Sequence, residues 1–231
     1  MKNLFTILFF ALVLVARVSA ADFYQQDWSW AGSDKKSLAD YGWSQVLPPS
    51  GFVGNYEEAS ANENESNDSL PTSAIYFGGE KAATGFFYIT NGAAAKSGGA
   101  VFKSIDLKAC LNLTFTIEAQ HSWQGTNLTG YFAIQSGDAW YVATNHPIAA
   151  FAQDAASGTF QKFSLVFNSH AVDWTSLNPV TATLGKPADA DISSSITGVG
   201  VFMKLTDGGS WGFNKFTITS NPINKTPVAK K

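Results

Sequence analysis

Amide, carboxylate and aromatic side chains recur at alternate positions in the middle of the sequence, between Asn112 and Thr144. Aromatic rings can stack on the C–H faces of a sugar, while amides and carboxylates can hydrogen-bond its hydroxyl groups. The alternative interpretation is an ordinary solvent-facing surface of a β-sheet. The six residues that we predict to bind a ligand are Glu118, Gln120, Trp123, Tyr131, Gln135 and Tyr141.

Strands with one buried face must position these side chains. Phe115 and Ile117 alternate with Thr116 and Glu118, and successive side chains of a strand point to opposite faces. Two more alternating segments follow, on either side of a turn at residues 136–138. We predict that the three strands form a meander and that their polar residues line one open surface. The predicted core consists of Phe115, Ile117, Phe132, Ile134, Phe163, Leu165, Val199, Val201, Phe216 and Ile218.

The first twenty residues have the organisation of a secretory signal peptide. Lys2 gives a positive start, Leu4 to Val15 is apolar, and Val18-Ser19-Ala20 is a small-residue cleavage site before Ala21. The apolar run is shorter than the roughly 20 residues that a membrane-spanning helix needs. The sequence therefore predicts an exported protein without a membrane span, in the extracellular space or the periplasm.

Charge excludes one class of partner. Cleavage would remove Lys2 and Arg17 from the fifteen basic residues, which leaves thirteen against eighteen acidic ones and a net charge of −5. The mature chain would contain no arginine, the side chain best suited to phosphates and carboxylates. This composition argues against nucleic acid and favours an uncharged partner.

Cysteine and histidine residues give no signal for catalysis. Cys110 is the one cysteine, so it cannot form an internal disulfide, and its residue type favours a small buried core position. Three histidines, at 121, 146 and 170, are far apart and lack metal-ligand spacing. The acidic segment 57–69 lacks the pattern of a calcium loop. We predict no catalytic residue and no cofactor; a metal site, including one for a structural calcium ion, stays open.

Sequons for N-glycosylation would be used only in a eukaryotic secretory route. Asn112 begins a predicted strand, so chance explains its sequon equally well in a chain that is rich in asparagine and threonine. The sequons begin at Asn64, Asn67, Asn112, Asn127 and Asn224.

About ten short strands at regular spacing predict an all-β, two-sheet jelly-roll sandwich, mostly antiparallel. They include a strand over Ala100 to Ile105, whereas Asp173 to Pro179 is predicted to be a loop. The predicted organisation is a signal peptide at 1–20, a single domain at 21–219 with a mobile acidic loop at 57–69, and a disordered tail at 220–231.

The last two predicted strands read I-T-G-V-G-V-F-M and W-G-F-N-K-F-T-I-T. This pair resembles the closing strands of secreted jelly-roll domains, which include carbohydrate-binding modules and galactose-binding-like or lectin-like sandwiches. The resemblance implies a noncatalytic sugar-binding domain. From alternation along the strand, we also expect Gly198 and Gly200 to leave room beside the polar surface. Many such modules have an acidic residue in the final strand, where this chain has Phe213-Asn214-Lys215. The departure puts a structural metal of the family type in doubt.

Three functions remain open at the level of sequence. The leading one is noncatalytic binding of a neutral oligo- or polysaccharide by an exported monomer. The second is a structural or adhesive protein of a cell envelope or matrix, without a small ligand. The third is a glycan-cleaving hydrolase or lyase, although the chain has neither a G-x-S-x-G motif nor a cluster of catalytic carboxylates.

Overall fold

The computed structural model describes residues 21–28, 38–46, 75–79, 82–93, 100–123, 128–148, 160–192, 195–206 and 209–222. Twelve β-strands lie in these ranges, together with short 3₁₀ helices at Leu38–Tyr41, Leu107–Ala109 and Ala171–Asp173. The strands are β1 (Ala21–Asp27), β2 (Ser44–Val46), β3 (Ile75–Gly79), β4 (Ala83–Thr90), β5 (Cys110–Trp123), β6 (Leu128–Ser136), β7 (Ala139–Ile148), β8 (Gln161–Val166), β9 (Thr175–Asn178), β10 (Thr183–Pro187), β11 (Ile196–Leu205) and β12 (Gly209–Pro222).

The strands form two antiparallel sheets. The five-stranded sheet has the order β1-β12-β5-β8, and β3 also pairs with β12. The seven-stranded sheet has the order β10-β9-β7-β6-β11-β4-β2. Apolar residues of both sheets join in one large core cluster, so the molecule is a β-sandwich. The predicted all-β, two-sheet fold class is confirmed.

The core is the one that the alternation predicted. Nine of the ten predicted residues are buried, and Phe163 is half-buried against the same cluster. In register, Phe115 and Ile117 of β5 lie opposite Ile218 and Phe216 of β12. Residues directly opposite each other on neighbouring strands share a face, so these four side chains form one layer of the core.

The predicted meander is wrong. Strand β5 pairs with β12 and β8 in the five-stranded sheet, whereas β6 and β7 belong to the seven-stranded sheet. Alternation identifies the buried face of a strand, but it does not identify the neighbouring strand. Strands β5 and β6 both present an apolar face to the same core, from opposite sides.

Two further predictions of secondary structure are corrected. Residues 100–105 do not form a regular strand; only Ile105 makes an isolated bridge, to Ile196. Phe102 and Ile105 are both buried, and two residues three apart cannot share a face of a regular strand. The predicted loop 173–179 contains β9, because Leu177 is buried opposite Trp140 of β7.

Several predicted features fall outside the described residues. They are the signal peptide at 1–20, the acidic loop at 57–69 and most of the tail. Strand β12 continues past Thr219 to Pro222. In the described part of the chain, no helix has the length and apolar character that crossing a membrane requires.

Candidate functional site

The seven-stranded sheet is apolar on both faces. Its inner face contributes Phe87, Ile89 and Phe132 to the main core. Its outer face carries a separate apolar cluster, made of Phe86, Ala133, Trp140, Val142, Leu177, Ala182 and Phe202, with Val46, Tyr88 and Tyr131 partly buried against it. We call the aromatic residues of this cluster, together with Gln135, the outer aromatic face: Phe86, Tyr88, Tyr131, Gln135, Trp140 and Phe202.

Strand register orders these side chains into three rows across the sheet. The first row contains Tyr131, Phe202 and Phe86, on β6, β11 and β4. The second contains Ala133, Gly200 and Tyr88 on the same strands. The third contains Trp140 on β7, Gln135 on β6 and Gly198 on β11. Small residues in the second row therefore separate Tyr131 and Phe202 from Trp140.

The rings pack on one another in fixed orientations. Phe86 and Tyr88 are stacked, with ring centroids 4.8 Å apart and an interplanar angle of 16°. Trp140 meets them both edge-on, at 4.9 Å from Phe86 and 5.1 Å from Tyr88. Tyr131 lies 6.3 Å from Phe202. Phe86, Trp140 and Phe202 are buried, so Tyr88 and Tyr131 are the rings of this face that remain partly accessible.

A hydrogen bond orients the amide of Gln135. The hydroxyl of Thr197 donates to Gln135 Oε1 at 3.2 Å, and it also lies within hydrogen-bonding distance of the backbone oxygens of Gln135 and Gly137. With Oε1 held in this way, the Nε2 group is the part of the amide left to donate. Gln135 is half-buried, and it stands beside Trp140 in its row.

We predicted that the two glycines of β11 leave an open space beside the face. The structure shows that they do not. A Cβ atom on Gly198 would lie 2.9 Å from the Trp140 ring and 3.0 Å from Gln135 Oε1. A Cβ atom on Gly200 would lie 2.4 Å from the Phe87 carbonyl oxygen and 2.9 Å from the Phe86 ring. The glycines therefore provide the room that the neighbouring aromatic side chains fill.

The six predicted site residues do not lie on one surface. Tyr131 and Gln135 are on the outer aromatic face. Tyr141 is opposite Ile134 in register and packs, half-buried, against the main core. Its neighbour Trp140 takes the outer position instead. The alternation of side chains predicted the wrong face for Tyr141, because β7 carries apolar residues on both faces.

The other three predicted residues belong to β5, on the five-stranded sheet. Glu118 is half-buried and is paired in register with Lys162 of β8 and Lys215 of β12. Gln120 is fully buried. Trp123 ends β5, and its side chain is outside the described part of the structure. Since the core separates the two sheets, Glu118 and Gln120 cannot act together with Tyr131 and Gln135.

Four residues of the face were missed at the level of sequence: Phe86, Tyr88, Trp140 and Phe202. A signal for the first two was present in Phe86-Phe87-Tyr88. Three consecutive aromatic residues on a strand cannot all point inward, so at least one of them had to lie on the outer face. Phe202 follows Gly198 and Gly200 at alternate positions, so alternation alone places it on the same side of β11 as the two glycines.

The electrostatics of the face are close to neutral. Along β4, β6 and β11, the outward positions described by the structure carry a single charge, that of Lys204. No group of three or more His, Cys, Asp or Glu that could hold a metal ion occurs among the described residues. The surface can therefore offer stacking and hydrogen bonds to a ligand, with little contribution from charge.

Two grooves lie elsewhere in the described part of the chain. One, of about 630 Å³, runs between the end of β7 and β8, and Phe132 and Lys162 are among its lining residues. The other, of about 490 Å³, is lined by residues that include Cys110 and Asn112. Burial raises the pKa of the Cys110 thiol, which disfavours the reactive thiolate. His146 and Ser164 both line the first groove, and His170 lines the second together with Cys110. The Ser164 hydroxyl hydrogen-bonds with that of Thr116.

Comparison with known proteins gives structural neighbours only. No protein-family model and no curated protein sequence matches the chain. The solved structures similar to it include a family 11 carbohydrate-binding module from Clostridium thermocellum in complex with a β-1,3-1,4-mixed-linked tetrasaccharide. The identity is 10%, the coverage 86% of this chain and 96% of that chain, and the TM-score 0.43.

Two other neighbours have different descriptions. A protein of unknown function with a galectin-like fold from Bacillus subtilis is 7% identical, over 87% of this chain and 97% of that chain, with a TM-score of 0.43. The K1 cleaved adhesin domain of Lys-gingipain from Porphyromonas gingivalis is 12% identical, over 85% and 97%, with a TM-score of 0.33. Likenesses this distant carry no argument about function, which depends on the site itself.

Proposed function

We propose that this chain is an exported, noncatalytic protein that binds a neutral oligo- or polysaccharide on its outer aromatic face. The observation that carries the proposal is the pair of partly accessible tyrosines, Tyr88 and Tyr131, beside the oriented amide of Gln135. Tyrosine rings can stack on sugar C–H faces, and their hydroxyl groups and the amide can hydrogen-bond sugar hydroxyls.

The spacing of the two tyrosines favours a short oligosaccharide over a single sugar ring. Tyr131 and Tyr88 are separated by two strand spacings across the sheet and by one step of two residues along it. With about 4.8 Å between strands and about 3.4 Å per residue, their Cα atoms are about 12 Å apart. A ligand that contacts both rings must be longer than one pyranose.

Binding should be weak and insensitive to salt. A shallow face covers only part of a ligand, so we expect a Kd on the order of 10 μM to 1 mM. Ionic strength screens interactions between charges. Lys204 is the only charged residue at the outward positions of β4, β6 and β11 that the structure describes. An uncharged ligand should therefore bind about equally at low and high salt.

Isothermal titration against a panel of neutral oligosaccharides tests the proposal. We expect Tyr131→Ala and Gln135→Ala each to lower the affinity by about tenfold, equivalent to about 1.4 kcal/mol. Glu118→Ala is the matched control, because Glu118 lies on the opposite sheet, and it should bind as the unmodified protein does. Circular dichroism would verify that each variant is folded.

The alternatives give distinct results. Unchanged affinity in folded Tyr131→Ala and Gln135→Ala proteins would remove this face as the site. Failure to bind any glycan on an array would favour a structural or adhesive role without a small ligand. Release of reducing sugar from a polysaccharide would identify a hydrolase.

A further inference from the structure

Asn112 occupies an unusual backbone position near the start of β5. Thr114 and Leu111 pair with Thr219 and Asn221 of β12, so that two residues of β5 lie opposite one residue of β12. This two-against-one arrangement is a β-bulge. Asn112 has φ = +52°, in the left-handed region that asparagine adopts more readily than most residues. Its side chain is exposed.

The side-chain amide of Asn112 has no structural role among the described residues. Other exposed asparagines use theirs: Asn91 and Asn178 accept from backbone N–H groups, and Asn145 donates to the carbonyl of Val172. For Asn112, the side-chain amide makes no hydrogen bond to the described residues, whereas the backbone oxygen accepts from the hydroxyl of Thr114 at 3.1 Å. The Asn112 amide nitrogen is therefore available for chemistry at no cost to the fold.

Asn112-Leu113-Thr114 is also an acceptor sequence for N-glycosylation. Leu113 is buried in the core and anchors the segment, while the asparagine on its N-terminal side is exposed. A large hydrophilic modification is compatible with a folded protein only at such an exposed side chain. Among the asparagines whose side chains the structure describes, Asn112 alone has serine or threonine two residues later.

We propose that Asn112 is a site of N-linked glycosylation. The Nδ2 atom forms a bond to the anomeric carbon of an oligosaccharide carried on a lipid diphosphate. The bond between that carbon and the diphosphate oxygen breaks, the lipid diphosphate leaves, and Nδ2 loses one proton. The glycan projects from the five-stranded sheet, on the other side of the core from the outer aromatic face, and leaves that face uncovered. The proposal does not depend on any sugar being bound there.

Peptide mass analysis of the full chain, expressed with its own first twenty residues in a eukaryotic secretory host, tests the site. Cleavage after Lys108 and Glu118 yields the peptide 109–118, which separates Asn112 from the sequon at Asn127. We expect this peptide to carry an oligosaccharide. After amidase treatment, position 112 should be found as aspartate.

Three variants make the test specific. Asn112→Gly tolerates the positive φ angle and should abolish the modification of the peptide. Thr114→Val should abolish it while keeping the shape of the side chain. Thr114→Ser preserves the acceptor sequence and should retain the glycan. An unmodified 109–118 peptide in the secreted protein, or a full-length chain that stays unmodified inside the cell, would overturn the proposal.

Discussion

A buried hydroxyl group, that of Tyr24, connects the first strand to the residue that precedes the second. It accepts a hydrogen bond from Trp43 Nε1 at 2.9 Å and donates to Gln26 Oε1 at 3.4 Å. All three side chains are buried, and buried polar groups are costly without partners. Burial raises the pKa of the Tyr24 hydroxyl well above its ordinary value of about 10.

Replacing Tyr24 with phenylalanine should therefore destabilise the protein at neutral pH. Trp43 Nε1 would lose its acceptor, and the free energy of unfolding should fall by about 1 to 3 kcal/mol. Urea denaturation at pH 7, followed by tryptophan fluorescence, would measure the loss. An unchanged unfolding midpoint would mean that the Tyr24 hydroxyl group contributes nothing to the fold.

The same substitution should reduce sensitivity to alkali. Because the pKa of Tyr24 is higher in the folded state than in the unfolded state, the folded protein holds the proton more tightly. The resulting stabilisation is complete below the unfolded pKa of about 10 and declines as pH rises above it. Tyr24→Phe lacks this dependence, so the difference in stability between the two proteins should shrink above pH 10. A constant difference up to pH 11 in urea denaturation would contradict this expectation.

Gly200 is a position at which the packing leaves no room for a side chain. A Cβ atom there would lie 2.4 Å from a backbone oxygen and 2.8 Å from Tyr88 Cβ. We expect Gly200→Ala to lower the free energy of unfolding by about 1 to 3 kcal/mol, because one strand or the other must shift. Gly185→Ala is the control: its nearest neighbour is the Ser176 hydroxyl. This hydroxyl can rotate away and exchange its exposed hydrogen bond with the Lys186 carbonyl for one with water. Equal losses in the two variants, measured by urea denaturation, would mean that contact with backbone does not decide the cost.

At the scale of elements, β5 and β6 should be the strands whose inward side chains matter most to stability. Phe115 and Phe132 approach each other across the core, with ring centroids 6.1 Å apart, and both are buried. We expect Phe115→Ala and Phe132→Ala each to lower the free energy of unfolding by about 3 to 5 kcal/mol, through lost burial and the cavity that remains. Val166→Ala serves as the control, because Val166 is 58% exposed on β8.

The strands also differ in how well their own sequences predicted their orientation. β5 alternates cleanly between apolar and polar residues, so its inward face was predicted correctly. Strands β4 and β7 have apolar residues on both faces, at Phe86-Phe87 and Trp140-Tyr141. Alternation carries no information in such a strand, since either face could be the buried one. These two strands supply three rings of the outer aromatic face, which explains why most of that face was missed.

At the scale of the whole molecule, we expect the predicted signal peptide to be removed on export. Strand β1 starts at Ala21 and pairs along its length with β12. We expect the mature protein from a secreting host to begin at Ala21 or Asp22, because the small residues Val18-Ser19-Ala20 precede that position. N-terminal sequencing of the protein recovered from the medium would measure this. Recovery of the uncleaved chain in the membrane fraction would contradict it.

Local pattern was sufficient to predict the all-β class, the core residues and the outward direction of Tyr131 and Gln135. Each of these follows from the alternation of side chains along a single strand, which depends only on neighbours in sequence. The placement of Glu118 and Gln120 on a different sheet from Tyr131 was decided only by the tertiary structure. So was the packing of Tyr141 against the main core and of Trp140 in the outer cluster. Strand pairing is decided by competition between segments far apart in the chain. The pattern within β5 therefore does not predict that its partners are β12 and β8.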